Sequence, residues 1–164
     1  MTNPDLDRIA IPPGISPDLA RLLAAQGEQE ARKTALRPMN KEALFDGLLH
    51  VGIAYVTVTF DGSGDSGQIE DIDARNSADE TVPIPPAQIV LAGIDWQSQE
   101  VAERRLSLEQ AIEEMAYDFL SDTHGGWENN DGANGEFCFD ARARTIHLDF
   151  NERFTSSELY THDF

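Results

Sequence analysis

From Ser107 to Leu120 the chain reads Ser-Leu-Glu-Gln-Ala-Ile-Glu-Glu-Met-Ala-Tyr-Asp-Phe-Leu, and this stretch decides the class of fold. Ser107 followed by Gln110 is a capping box: the serine hydroxyl accepts from the backbone N–H at Gln110, while the glutamine side chain returns to the serine N–H. Leu108, Ala111, Ile112, Met115, Ala116, Phe119 and Leu120 recur at helical spacing and form one apolar stripe. The opposite face carries Glu109, Glu113, Glu114, Asp118 and Asp122, with Gly125-Gly126 beyond the end as a C-cap. Such a helix must lay its stripe on another layer, and the sequence on both sides of it offers a sheet.

Downstream, Phe137 and Phe139 alternate with Cys138 and Asp140, and Ile146, Leu148 and Phe150 alternate with His147, Asp149 and Asn151. That pattern predicts a hairpin with one face buried. Upstream, Ile53 to Phe60 is rich in β-branched and aromatic residues at both parities, as an interior strand requires. The glycine-rich run Asp61 to Gly67 turns it into a second strand over roughly Gln68 to Ala74. Residues 76–87 are polar, then proline-rich, and read as an excursion before the short apolar run Ile89-Val90-Leu91-Ala92.

The N-terminal part differs in character. Pro4, Pro12, Pro13 and Gly14 predict an extended or disordered start over residues 1–15. Ser16 and Pro17 open a helix with Leu19, Leu22 and Leu23 on one face, which Pro38 should stop. Asn40 then caps a second helix presenting Leu44, Phe45, Leu48 and Leu49, ending near Gly52. The expected fold is α+β: an antiparallel sheet of two hairpins packed by one long amphipathic helix, with a helical N-terminal arm. Residues 1–40 form the arm and residues 41–164 an acidic domain.

Charge divides the chain at the same place. The net charge of the 164 residues is -18. Residues 1–40 hold five acids and five bases, residues 41–46 sum to -1, and the remaining 118 carry 23 acids against six arginines, or -17. Lysine is absent after Lys41. Direct nucleic-acid binding needs clustered Lys and Arg, so it is excluded as the expected function, and anionic membranes are disfavoured for the same reason. A single cysteine, Cys138, allows no internal disulfide. The N-terminus lacks the basic start and apolar run of a secretion signal, which predicts a cytoplasmic, unanchored protein.

Three constellations could carry chemistry. Asp61, Ser63 and Asp65 place alternate oxygens on a tight turn, as a calcium loop does, but Ser66 stands where an EF-hand loop needs glycine and Ile72 where it needs glutamate. A solvated hairpin turn is the main reading and a weak calcium site the alternative; no other cofactor is expected. The run His124, Gly125, Gly126, Trp127, Glu128, Asn129, Asn130, Asp131 is a long helix-to-strand connection, of the kind that is often functional when ordered. A catalytic reading makes His124 a base oriented by Glu128 or Asp131, yet no nucleophile completes it. The competing reading is structural, with His124 at a helix C-terminus and Trp127 plugging the edge of the core. His147 beside Cys138, Asp140 and Asp149 is read as an inert thiol near a hydrogen-bonded imidazole rather than a nucleophile pair. The acidic helix face can be a solvated surface, a salt adaptation, or an imitation of a phosphate ladder that occupies a basic site on another protein.

The segments Gly62 to Glu70, Gly125 to Gly132, Gly135-Glu136-Phe137 and Asn151-Glu152-Arg153 resemble a domain-of-unknown-function family of small bacterial proteins often encoded among mobile-element genes. The likeness covers about residues 42–164 and carries no catalytic residues with it. It implies that both glycine-rich loops are family features and favours an accessory or host-defence-counteracting role. The expected function is a non-catalytic, acidic protein that binds a basic protein surface, with the arm as a second contact or a homodimerisation element. A small hydrolase or calcium-dependent binder built from the two loops is the alternative.

Overall fold

The fold is described by a computed structural model over residues 16–164. The extended start expected for residues 1–15 lies outside the described residues. Helix α1 (Pro17–His50) is followed by strands β1 (Tyr55–Ser63), β2 (Ser66–Arg75), β3 (Thr81–Val82), β4 (Gln88–Ile94) and β5 (Val101–Ser107). Helix α2 (Leu108–Thr123) and strands β6 (Ala133–Asp140) and β7 (Thr145–Glu152) complete it. A five-stranded sheet has the order β3-β2-β1-β6-β7, and β4-β5 forms a separate two-stranded ribbon. The class is α+β, with the two hairpins read from the sequence as its main sheet, and no described helix is long and apolar enough to cross a membrane.

β1 is the central strand because its residues suit both neighbours. Val56, Val58 and Phe60 are buried on the inner face while Tyr55, Thr57 and Thr59 are half-buried on the outer one. A bulge between Thr59 and Phe60, opposite Glu70, adds one residue to β2. Ile69 and Ile72 are three apart and would otherwise point to opposite faces; the bulge lets both pack against the core. Phe137 and Phe139 of β6 lie against α2, whose Leu108, Ala111, Ile112, Ala116 and Leu120 are fully buried. The capping box forms as expected, with Gln110 N–H donating to Ser107 Oγ at 3.1 Å and Ser107 N–H donating to the glutamine at 3.2 Å. The helix C-cap is His124 rather than the glycine pair after it.

Two parts of the N-terminal reading are corrected. Pro38 does not stop a helix and Asn40 does not start one: α1 is a single helix of 34 residues that runs through both. Proline forfeits one backbone bond, to the Thr34 carbonyl, and here long-range contacts outweigh that loss. The Asn40 amide donates to Ala92 O at 2.8 Å and accepts from Ala92 N–H at 2.7 Å on β4. Arg37 pairs with Asp122 of α2, and Arg144 pairs with Glu42 and Asp46. Leu44, Phe45 and Leu48 are fully buried. α1 therefore crosses residues 40 and 41 without a break. Pro38→Ala should raise stability by about 1–2 kcal/mol in urea unfolding followed by circular dichroism, the restored bond outweighing the looser unfolded chain. An unchanged midpoint would mean that the Thr34 carbonyl is already satisfied.

The sequence reading left out the two-residue β3, inside its proline-rich excursion, and β5. The first five residues of β5, Val101 to Arg105, are exposed, so no apolar alternation announces it. It is a strand because it pairs with β4 over Gln88 to Ile94.

Candidate functional site

The two glycine-rich loops meet at one end of the main sheet. Gly64, with φ 66°, closes the β1–β2 turn, and its N–H donates to Asn130 O at 3.0 Å in the α2–β6 connection. The Trp127 ring lies over Gly62 and Gly67, close enough that a Cβ at either position would collide with it. Its edge meets Phe60 at 5.3 Å between centroids and 78° between planes. Gly132, at φ 76°, backs onto the Gly62 carbonyl with no room for a side chain.

The chain after β7 ties this junction together. Arg153 donates to Asp61 at 2.7 Å and to Gly62 O at 3.2 Å, its backbone N–H donates to Gly132 O at 2.9 Å, and Thr155 donates to Asp131 at 2.8 Å. The Arg153 hydrogen bond holds the Asp61 carboxyl below its ordinary value, against a smaller opposing effect of desolvation. All four segments that carry the family resemblance thus touch one another or a shared neighbour: Gly135 packs against Phe60 and the Asp149 carbonyl.

What these contacts do chemically is fill space. His124 stacks flat on Phe150, with centroids 3.7 Å apart, and Asp131 is engaged by Thr155, so neither is arranged as base and orienting carboxylate. Glu128 is half-buried beside Gly62, and Asn129 packs against Gly126. Asp61 already has a guanidinium partner, while Ser63 and Asp65 are exposed on the turn. No three His, Cys, Asp or Glu side chains among the described residues are grouped to hold a metal ion. Cys138 and His147 are cross-strand partners, but His147 Nε2 meets Asp149 Oδ1 at 3.0 Å. Burial, together with Asp140, Glu136 and Asp149, pushes the Cys138 thiol up, away from the reactive thiolate.

The acidic helix face is divided by tertiary contacts. Glu114 receives a two-pronged contact from Arg104 of β5 at 2.8 and 3.1 Å, and Asp122 is paired with Arg37. Desolvation raises the Asp118 carboxyl, with Lys33 and Arg37 pulling the other way. These three acids line a groove of about 330 Å³ between α1, α2 and the β4–β5 ribbon. Glu109 and Glu113 make no ion pair among the described residues.

Another open acidic surface lies on the sheet face turned away from the helices. Thr59 stands between Asp71 of β2 and Glu136 of β6, and Glu136 stands directly opposite Asp149 of β7. The next row places Thr57 between Asp73 and Cys138, and the row after it Tyr55 between Arg75 and Asp140. The bulged Glu70 joins Asp61, Glu136 and Asp149 around a shallow depression of about 480 Å³, with Asn134 and Asn151 at its side. Arg75 neutralises Asp73 at 2.8 Å and Arg153 neutralises Asp61. Glu70, Asp71 and Glu136 have no such partner among the described residues.

The profile of a family of unknown function, DUF6878, matches residues 36–164. The chain belongs to DUF6878. The DUF6878 region begins inside α1, just before Pro38, and takes in every strand, α2, both glycine-rich loops and the acidic face. No curated protein and no solved structure matches the chain.

The alternation read in β6 and β7 placed Asp140 and Asp149 on the polar parity of their strands, and the acidic face singled out from the sequence was that of α2. The signal for the open face was the period-2 spacing of Asp71 with Asp73 and of Glu136 with Cys138 and Asp140. Reading it as one surface requires the order β2-β1-β6-β7, which joins strands far apart in the chain.

Proposed function

We propose that this protein is a non-catalytic binding module whose open acidic sheet face docks on a basic surface of a protein partner. The observation that carries the reading is the Glu136–Asp149 cross-strand pair beside Asp71 and Glu70, which has no Lys or Arg partner among the described residues and only His147 against Asp149. Like charges directly opposite each other on a sheet destabilise it, and a partner's lysines and arginines would relieve that repulsion. The charge of -18 on residues 41–164 adds long-range steering towards such a surface. A broad, shallow face suits a protein surface better than a small substrate, and the spread of its carboxylates suits several cationic side chains better than one metal ion. The finer reading is that the partner surface otherwise holds nucleic acid, so that the carboxylates stand in for phosphates, in a cytoplasmic protein of a bacterial mobile element.

The test is affinity capture of basic proteins at low and moderate ionic strength, followed by direct binding measurements on the captured partner. Glu70→Gln/Asp71→Asn/Glu136→Gln/Asp149→Asn should weaken binding about 30-fold, at roughly 0.5 kcal/mol per charge. Glu109→Gln/Glu113→Gln on α2 should leave it unchanged. Binding that survives neutralisation of the sheet face, or that does not weaken as salt rises, sinks the proposal.

The contact between the two loops favours one alternative, a small hydrolase or calcium-dependent binder using Asp61, Asp65, His124, Glu128 and Asp131. Against it stands Trp127, which occupies the space where a pocket between the loops would lie. Saturable heat in a millimolar calcium titration would support a cation role for the loops, and its absence would remove it.

A further inference from the structure

Four large apolar side chains after β7, namely Phe154, Leu159, Tyr160 and Phe164, stand at 83, 88, 70 and 118% exposure. Residues 153–164 form no helix or strand, and only Arg153 and Thr155 bond back to the body. Leu159 and Tyr160 stand side by side in this run, and adjoining apolar side chains left in water mark an interaction segment.

On the helix side of the sheet lies a cleft of about 470 Å³ walled by Pro38 and Lys41 of α1, Phe119 of α2 and Ile146 of β7. Its walls are largely apolar, and its rim carries Arg37 and Lys41 beside Glu42, whose carboxylate is already paired with Arg144. Arg37 lies 4.9 Å from the Phe119 ring centre and is paired with Asp122, whereas Lys41 lies 5.9 Å from the Phe45 ring centre and makes no ion pair among the described residues.

We propose that this cleft receives the segment Leu159–Phe164, with the preceding Glu158, from a second copy of this chain. Leu159 and Tyr160 fill the cleft, and Glu158 or Asp163 meets Lys41. The signs match at one point: the segment's carboxylates would be repelled by most of the anionic body and are attracted by Lys41, the cation of this rim without an ion pair among the described residues. The area suffices as well. Each aromatic ring buries roughly 150–250 Å², so two reciprocally exchanged segments remove on the order of 1,000 Å², near the lower limit for a specific interface. Reciprocal exchange also closes as a two-fold dimer rather than growing into a chain. The N-terminal helix supplies one wall, which gives the arm its part in self-association. The acidic sheet face lies on the other side of the sheet and stays free, so this inference does not rest on the proposed function.

Sedimentation across the micromolar range, with thermal melts to check folding, tests the exchange. The wild type should be dimeric. Lys41→Glu and Glu158→Lys/Asp163→Lys should each raise the dissociation constant about tenfold or more, because their homodimers place like charges together. An equimolar mixture of the two should dimerise again, since both of its clefts then face a segment of opposite charge. Leu159→Ser/Tyr160→Ser, outside any helix or strand, should abolish the dimer without altering the melt. A monomeric wild type, which includes docking of the segment onto its own chain, overturns the proposal. So does a dimer that all variants retain, or a mixture that stays monomeric.

Discussion

Gly132→Ala should lose about 3–5 kcal/mol of unfolding free energy, a large part of what holds a domain of this size together. Two costs coincide at this residue. Its φ of 76° is left-handed backbone that an L side chain adopts at a penalty. Its missing Cβ would also enter the Gly62 carbonyl, which is held by β1 and by Arg153 and so cannot move aside cheaply. Gly64→Ala separates the two costs. Gly64 has a similar φ, 66°, but a Cβ there meets nothing within 4 Å. It should lose only about 1 kcal/mol in urea unfolding. Equal losses at the two positions would mean that backbone conformation alone, and not the close approach of the two loops, sets the requirement for glycine.

Trp127→Ala should cost about 3 kcal/mol, the low end for an aromatic because the ring is only partly buried. It should also change the outcome of a second substitution. The atoms nearest to a Cβ at Gly67 all belong to the Trp127 ring, so Gly67→Ala in the wild type forces the indole out of place and should cost about 1–3 kcal/mol. Without the ring those three contacts are gone, and the same alanine should be neutral or stabilise the strand by about 0.5 kcal/mol. The double-mutant cycle should therefore show a coupling of about 2 kcal/mol, well outside the few tenths seen for independent sites. Additive effects would mean that the indole is not seated on Gly67, and the packing role assigned to the loop junction would fail.

The elements legible in the sequence were those whose signals are local. The Ser107–Gln110 capping box is satisfied by atoms a few residues apart, and α2 forms where its apolar stripe indicated. The alternation of Phe137 and Phe139, and of Ile146, Leu148 and Phe150, made β6 and β7 visible for the same reason. β5 was not visible, because its exposed residues take their strand conformation from backbone pairing with β4 alone. Pro38 misled because its local cost is real. What overrides it is the Asn40 amide on Ala92, 52 positions away, and Arg37 on Asp122, 85 positions away.

The candidate site follows the same division. Both glycine-rich loops stood out in composition, and Trp127 was recognisable as a plug for the core edge. Their meeting was not readable, since it depends on β1 and β6 being neighbours in the sheet. The acidic helix face was readable as a stripe, but Arg37 and Arg104 reach two of its carboxylates only once α1 and the β4–β5 ribbon are packed beside α2.

By itself the sequence determined the α+β class, the N-caps at Ser16 and Ser107, the parities of β6 and β7 and a charge of -18 on residues 41–164 beside a neutral arm, because each is a property of neighbouring residues or of a sum over them. Only the tertiary structure decided that α1 is one helix, that the loops close on Trp127, and that the exposed acidic surface is a sheet face. Those outcomes rest on pairings between distant segments, and a carboxylate becomes part of a surface only when the strands on either side of it are in place.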